Sequence, residues 1–197
     1  EGYRLLVPQF DRTPAPDEAA LKAAGLWIGK APQGLGRVIS SIKELVAETA
    51  HKFFTESWTA ERLKDDGTVT SATNESSVVL YGECDAGPAL LTGDAGVHAL
   101  TMAADFADEI GLPLGQFKCV QVPHHGSRRN VGPTILNRLL GPIVVEGTPS
   151  VFSAFVSAPK DDSTHPRQMV VNAFLRRGGK VIATQGGKVL HRGGFPR

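Results

Sequence analysis

The spacing of apolar and polar residues predicts that strands and helices alternate along most of the chain. Apolar residues that recur every three to four positions predict amphipathic helices at residues 37–63, 97–110, 132–140 and 166–179. Short apolar runs bounded by turn residues predict strands at residues 77–83, 88–93, 117–122, 142–147 and 151–158, and a terminal hairpin at residues 180–192. Because the two kinds of element alternate, the predicted fold class is α/β.

Composition is that of an ordinary globular domain. The chain has 197 residues, of which 41% are hydrophobic and 21% charged, so it is long enough to bury a core. We expect one domain over residues 1–197, with a helical and loop region at 1–73 and a sheet-and-helix half at 74–197. The formal net charge of +1 argues against a surface that binds nucleic acid everywhere, so any anion site is expected to be local.

Neither a membrane segment nor a disulfide framework is expected. The longest apolar runs have about seven residues, whereas a helix needs roughly 20 to span a bilayer. Cys84 and Cys119 lie in apolar, strand-like runs without zinc-site spacing, and we expect reduced, packed thiols. Since no charged and apolar leader opens the sequence, we expect a cytoplasmic protein that makes no contact with membranes.

Polar side chains follow two predicted strands at the point where each strand ends. Asp94 comes directly after the run "LLTG", His124 and His125 come after "VQVP", and His165 lies in a polar loop before a predicted helix. In α/β proteins, catalytic side chains gather at the carboxyl ends of strands. A carboxylate and several imidazoles that converge there suit a divalent cation such as zinc or manganese, with one ion or two. Such a cation makes a bound water nucleophilic near neutral pH.

Some of these residues also have a purely structural interpretation. Asp94 is suited to cap the helix that begins near Val97. His51 lies near the apolar face of the first long predicted helix, where a structural histidine is more common than a metal ligand. Two adjacent histidines before Gly-Ser at a strand end are harder to explain by packing alone. The His-His pair is therefore the stronger functional signal.

The residues after the histidine pair bear on the substrate. Arg128 and Arg129 follow it directly, and guanidinium groups beside a metal site suit a bidentate grip on phosphate oxygens; ordinary surface arginines are the alternative. Ser127 is expected to cap a helix or to hydrogen-bond substrate, since it is not part of a Gly-x-Ser-x-Gly nucleophile turn. The pattern favours a phosphodiester or a nucleic-acid-type substrate.

Five motifs occur in a fixed order along the chain. They are "NESSVVL" at 74–80, "LLTGD" at 90–94, "VPHHGS" at 122–127, "THP" at 164–166 and "GGKVIATQGGKV" at 178–189. As a set they resemble the second half of the metallo-β-lactamase-fold hydrolases, in the branch typified by the hydrolase domain of the competence protein ComEC. The resemblance covers Asn74 to about Leu190.

The resemblance implies a fold and a set of site residues. The fold is an αββα sandwich, two mixed sheets packed face to face with helices outside, and this chain corresponds to its second half. Asp94 is implied as a ligand that bridges two ions, and Asn74 and Ser77 match the Asn-x-x-Ser of this branch. We expect catalytic roles for His124, His125 and His165, metal binding by Asp94, His125 and His165, and substrate binding by Asn74, Ser77, Ser127 and Arg128. Which of the two adjacent histidines is a ligand stays open.

One departure from the family pattern is large. The signature His-x-His-x-Asp-His, which belongs to the first half of the fold, does not occur in these 197 residues. The chain is then the carboxyl-terminal part of a longer protein, the partner of a separate chain with the first half, or a relative without catalysis. The start at Glu1, without methionine, favours the first. The predicted function is a metal-dependent hydrolase; the alternative is an inactive fragment or a scaffold or binding domain.

Overall fold

The computed structural model describes residues 56–162, 164–185, 187 and 189, and the backbone of Arg4–Leu5. The chain divides into two compact units, one of residues 1–8 and 61–197 and one of residues 9–60. In the second unit, Ser57 and Ala60 form an isolated antiparallel bridge, so the end of the helix predicted at 37–63 is a tight turn. The rest of that predicted helix, including His51, lies outside the described residues.

The described strands of the first unit form one mixed sheet with the order β1-β6-β5-β4-β3-β2. Their bounds are β1 (Arg4–Leu5), β2 (Leu80–Gly82), β3 (Ala89–Leu91), β4 (Cys119–Gln121), β5 (Phe152–Val156) and β6 (Gly179–Ala183). Strands β3 to β6 are parallel, and the edge strands β1 and β2 pair antiparallel with β6 and β3. The predicted α/β class is confirmed. The carboxyl ends of β3, β4 and β5 therefore lie side by side.

Helices connect the strands largely where the apolar spacing predicts them. They are α1 (Ala72–Glu75), α2 (Val97–Glu109), α3 (Pro133–Leu140) and α4 (Gln168–Arg176). Pro133 is the first residue of α3, where a backbone N–H would have no acceptor within the helix, so the N–H that proline lacks is not needed. Pro166, by contrast, precedes the N-cap Arg167, so α4 begins two residues later than predicted. Gly178, in the left-handed region at φ +79°, follows the end of α4.

One face of the sheet carries the core. Leu90, Val120, Ala154 and Val181 lie in register across β3 to β6, and all four are buried. The apolar faces of the three longer helices join them in a single cluster, through Leu100, Ala104, Ile135, Leu136, Leu139, Val170, Val171 and Phe174. Burial of this kind stabilises by about 25 cal/mol per Å² of apolar surface. The core thus fixes the four parallel strands, and with them the loops at their carboxyl ends.

The strand predicted at residues 142–147 is wrong. The segment pairs with none of the described strands, and the N–H of Val144 donates instead to the carbonyl of Arg176, at the end of α4, at 2.8 Å. Gly141 and Gly147, at φ +98° and +84°, turn the backbone at its two ends. Val145 is 81% exposed as a result. Of the predicted terminal hairpin, β6 is the first strand, and much of the second lies outside the described residues.

The two cysteines differ in environment. Cys119 is half-buried in β4, and desolvation, with a smaller contribution from Cys84, raises the pKa of its thiol. The expectation of a packed thiol is wrong for Cys84, because β2 ends at Gly82 and the residue lies exposed in the following turn. Both thiols are free. The helices of the described residues are too short or too polar to cross a bilayer.

Candidate functional site

Three loops meet at the carboxyl ends of β3, β4 and β5. The loop after β3 carries Asp94, the loop after β4 carries the two adjacent histidines, and the segment after β5 carries His165. The backbone N–H of His124 donates to the carbonyl of Gly93 at 3.1 Å, which joins the first loop to the second. The N–H of Arg167 donates to the carbonyl of Gly126 at 3.1 Å, which joins the second to the third. The fold thus brings the four predicted residues onto adjoining loops.

Asp94 is held by its backbone, while its carboxylate stays free. Its N–H donates to Ser77 Oγ at 3.3 Å, and its carbonyl accepts from Asn130 Nδ2 at 2.7 Å. The carboxylate is partly exposed and makes no hydrogen bond or ion pair with any described residue. The backbone of this loop is thus fixed, and the carboxylate is left open to solvent or to an external ligand.

The interpretation of Asp94 as a helix cap is wrong. The N-cap of α2 is Gly96, which has no side chain to cap with. Glu75 fills the role from a distant segment, since its Oε2 accepts from the backbone N–H of Ala99 at 2.8 Å. A β-carbon on Gly96 would collide with Glu75 Oε1, so the glycine makes room for this cap. The Asp94 side chain therefore takes no part in capping α2.

The short segment from α1 to Ser77 contacts both the loop after β3 and the loop after β4. Ser71 caps α1 by accepting from the N–H of Asn74 at 3.2 Å. The Asn74 side chain then donates from Nδ2 to Thr70 Oγ1 at 2.6 Å and to His124 Nδ1 at 2.7 Å. Asn74 and Ser77, which the resemblance implies as substrate-binding residues, thus both bond to the residues that carry the predicted chemistry.

The backbone at the histidine pair is left-handed over three consecutive residues. The φ angles of His124, His125 and Gly126 are +44°, +56° and +81°. Residues with a β-carbon rarely adopt this region, and each such residue costs about 1–3 kcal/mol. Gly126 has a second reason to be glycine, because a β-carbon there would lie 2.6 Å from Pro166 Cβ. Strain that persists in this way is typical of functional sites.

Asp162 is a residue of this region that the sequence analysis missed. Its Oδ2 accepts from His165 Nδ1 at 2.9 Å, and its Oδ1 accepts from the side chain and backbone of Thr164, both at 2.7 Å. Hydrogen bonds from the Thr164 side chain, then its backbone, then His165 hold the pKa of Asp162 far below its usual range. Its carboxylate is therefore ionised and orients the imidazole. An aspartate two residues before a threonine is a turn signal that would have found it.

The orientation of two histidines fits metal binding. His125 Nδ1 bonds to the Ser157 carbonyl, as His165 Nδ1 bonds to Asp162, so Nε2 of each ring keeps its lone pair. Metal-ligating histidines are commonly oriented in this way. Yet the described residues contain no group of three or more His, Cys, Asp or Glu side chains that could hold a metal ion. The predicted set of Asp94, His125 and His165 does not, by itself, make a complete metal site.

Arg128 lines a cavity that mixes charged and apolar side chains. Its guanidinium is 3.4 Å from Asp66 Oδ2, with both side chains more than 40% exposed, and exposed pairs of this kind are weak. The cavity, of about 390 Å³, is lined by residues that include Lys64, Asp66, Thr68, Glu75, His98 and Arg128. Ser127 Oγ accepts from the N–H of Arg129 at 3.3 Å. Ser127 does not cap α3, whose N-cap is Gly132; it caps the short His124–Gly126 turn instead, through its backbone N–H, which donates to the His124 carbonyl at 3.0 Å.

Comparisons with known proteins add no assignment to this geometry. No family model matches the chain, and neither a curated protein nor a solved structure does. The resemblance to metallo-β-lactamase-fold hydrolases therefore depends on the five sequence motifs, and the function is inferred from the site's own residues.

Proposed function

We propose that this chain carries part of the active site of a metal-dependent hydrolase that acts on a phosphodiester or nucleic-acid-type substrate. The observation that carries the proposal is the free carboxylate of Asp94, in a loop hydrogen-bonded to the strained His124–Gly126 turn. The fold proposed with it is the second half of an αββα sandwich of the metallo-β-lactamase type. Zinc or manganese, as one ion or two, is the proposed cation.

The metal site needs ligands beyond the described residues. Asp94, His125 and His165 have the donor chemistry, and the latter two have ordered Nδ1 partners, but they do not form a three-residue group. We propose that the remaining ligands come from elsewhere in the same protein or from a partner chain. This requirement agrees with the missing His-x-His-x-Asp-His signature.

The cavity beside Arg128 supports a phosphate-containing substrate. Lys64 and Arg128 both line it, and one guanidinium group can donate two parallel hydrogen bonds to the oxygens of a phosphate. Aspartates line the same cavity, and the chain's net charge is +1, so few phosphates would be engaged. Binding is then expected to weaken only gently with salt, because the slope follows the number of phosphates neutralised.

A second function is a binding or scaffold domain without catalysis. The observation that favours it is the lack of a three-residue metal group among the described residues. In that case the loops at the carboxyl ends of β3 to β5 would keep their geometry but would not turn over substrate.

Hydrolysis of bis(p-nitrophenyl) phosphate separates the two functions. Full-length protein, purified together with any chain that stays bound to it, is assayed with manganese or zinc, before and after a chelator, and its metal content is measured. We expect chelator-sensitive turnover that falls to background in Asp94→Ala, with Asp85→Ala, in the exposed turn at the other end of β3, as the control. Turnover and metal content that are the same in Asp94→Ala as in the wild type would remove Asp94 from the site. Failure of the wild-type protein to bind metal or hydrolyse substrate would favour the scaffold.

A further inference from the structure

We infer that Asn74 and the Ser157 carbonyl hold the adjacent His124 and His125 in opposite neutral tautomers. His124 then offers an N–H at Nε2, and His125 offers a lone pair at Nε2. The tautomers follow from the orientations that place the Asn74 amide nitrogen at His124 Nδ1 and the Ser157 carbonyl oxygen at His125 Nδ1, whereas their use in a reaction rests on the proposed function. Asn74 is in this view a positioning residue that acts through His124, in place of the substrate-binding role that the resemblance implies.

The state of His124 follows from the chemistry of its partner. The group that faces His124 Nδ1, at 2.7 Å, is the amide nitrogen of Asn74. An amide NH₂ only donates, so Nδ1 must accept and the ring proton lies on Nε2. The amide is fixed by a second bond, to Thr70 Oγ1 at 2.6 Å, and by the capped helix α1 that carries it.

The state of His125 is the reverse. Its Nδ1 faces the backbone carbonyl of Ser157, and a carbonyl oxygen only accepts. Nδ1 therefore carries the proton, and Nε2 keeps the lone pair. His165 has the same state as His125, because its Nδ1 faces the Asp162 carboxylate at 2.9 Å. Of the three histidines in the site, only His124 presents a donor at Nε2.

The backbone keeps the two rings adjacent and different. The ring centroids of His124 and His125 are 5.6 Å apart, with planes at 74°. Neither Nε2 has a hydrogen-bond partner among the described residues. The donor at His124 Nε2 and the acceptor at His125 Nε2 thus lie next to each other without a partner among the described residues. They lie on a strained turn, and such strain is typical of functional sites.

These two states divide the work at a phosphodiester. The His124 Nε2–H is suited to donate a hydrogen bond to a non-bridging phosphate oxygen, where negative charge is concentrated. The His125 Nε2 is suited to accept a proton or to bind a cation. The question left open by the sequence, which of the two histidines is the ligand, is then answered in favour of His125.

The exchange of Asn74 for aspartate isolates the tautomer from the shape of the side chain. In Asn74→Asp, a carboxylate that only accepts replaces the amide that donates, at nearly the same size. The His124 proton should then move to Nδ1, which leaves Nε2 without a donor. His125 should not change, because its partner is the Ser157 carbonyl. The matched control is Gln116→Glu, an amide-to-carboxylate change at an exposed residue before β4.

Two-bond ¹H–¹⁵N correlation spectra report the tautomer of each histidine directly. Full-length ¹⁵N-labelled protein is measured with chelator at about pH 8, above the reference histidine pKa of about 6.5. Signals are assigned with His124→Asn and His125→Asn, since asparagine tolerates left-handed backbone. We expect Nε2–H for His124, Nδ1–H for His125 and His165, and a switch of His124 alone in Asn74→Asp. A wild-type His124 with Nδ1–H, or no switch in Asn74→Asp, would overturn the inference.

Hydrolysis of the phosphodiester tests the use of the tautomer separately. We expect Asn74→Asp to lower kcat by about 10–100-fold, the usual effect of changing a group that orients a site residue, with a smaller change in KM. If the spectra show the switch while kcat is unchanged, the role of His124 in the reaction is overturned. If the wild type shows the predicted tautomers but neither turnover nor metal binding, the proposed function fails while the assignment of Asn74 stands.

Discussion

Two polar clusters in the same fold differ in what their side chains bond to. Arg177, with a side chain that is 0% exposed, donates to Glu61 Oε1 and Oε2 at 2.8 and 3.2 Å, to Asn137 Oδ1 at 2.9 Å and to the Ala173 carbonyl at 2.8 Å. At the carboxyl ends of β3 to β5, the Asp94 carboxylate has no partner among the described residues.

The difference separates a structural cluster from a functional one. A buried charge that is fully hydrogen-bonded ties together the segments that carry its partners, here α3, α4 and the chain before α1. In the second cluster, the Asp94 carboxylate and the Nε2 atoms of His124 and His125 have no partner among the described residues, so they stabilise the fold little and are available to a ligand. We therefore expect changes in the first cluster to reduce stability and changes in the second to reduce activity.

The largest effect on stability is expected from Glu61→Ala. Loss of the Glu61 carboxylate leaves the buried Arg177 guanidinium without its ion-pair partner, which lowers the free energy of unfolding by about 3–5 kcal/mol. The free energy of unfolding in urea measures the loss, with Glu83→Ala in an exposed turn as the control. A loss no larger than that of the control would show that the Arg177 cluster is not structural.

Gly126→Ala is expected to be the next most damaging change. It combines a left-handed φ of +81° with a β-carbon 2.6 Å from Pro166 Cβ and 3.0 Å from Pro166 Cα. We expect a loss of about 1–3 kcal/mol, larger than that of Gly115→Ala. Gly115 has a similar φ of +79° but open space around it, so the difference between the two variants measures the contact between the histidine turn and Pro166. Equal losses would mean that this contact does not matter.

Glu75→Ala tests the distant cap of α2. The loss of the carboxylate that accepts from the Ala99 N–H should cost about 0.5–2 kcal/mol, as other lost caps do. Thermal unfolding measures it, with Glu109→Ala at the other end of α2 as the control. If Asp94→Ala destabilised the protein as much as Glu75→Ala, the capping role would have to be shared between them.

The smallest effect on stability is expected from His124→Gly and His125→Gly. Glycine adopts the left-handed φ angles of +44° and +56° without strain, and this gain offsets the greater entropy of its unfolded chain. We expect the free energy of unfolding to change by less than about 1 kcal/mol, while turnover of the phosphodiester is lost. A destabilisation close to that of Glu61→Ala would make the histidines structural and would remove the contrast between the clusters.

The apolar pattern within a segment predicted the helices and strands that bury one face in the core. It failed for a segment whose structure depends on residues distant in sequence. The apolar runs of β3, β4, β5 and β6 and the spacing of α2 follow directly from which residues face the core. The segment around Val145 is as apolar as a strand, but it pairs with none of the described strands and bonds instead to the end of α4. Which strands neighbour each other is a property of the whole sheet, so sequence pattern alone does not give it.

Which residues share adjoining loops was predicted from the sequence, but the residues that support those loops were not. Asp94, His124 and His125 stand directly after apolar runs, which is a short-range signal. Glu75 caps Ala99 from 24 residues away, and Glu61 bonds Arg177 from 116 residues away. Such pairs have no local signature, so the structural alternative for Asp94, a cap of α2, was wrong and the Arg177 cluster was not predicted.

The most direct test of the contrast is Asp94→Asn, with phosphodiester turnover and the free energy of unfolding measured on the same samples. Asparagine keeps the size of the side chain and removes the free charge. We predict that turnover falls to background while the free energy of unfolding stays within about 0.5 kcal/mol of the wild type, as for a surface change without partners. Wild-type turnover in Asp94→Asn, or a loss of activity that follows a loss of several kcal/mol in stability, would contradict a functional site at the carboxyl ends of β3 to β5.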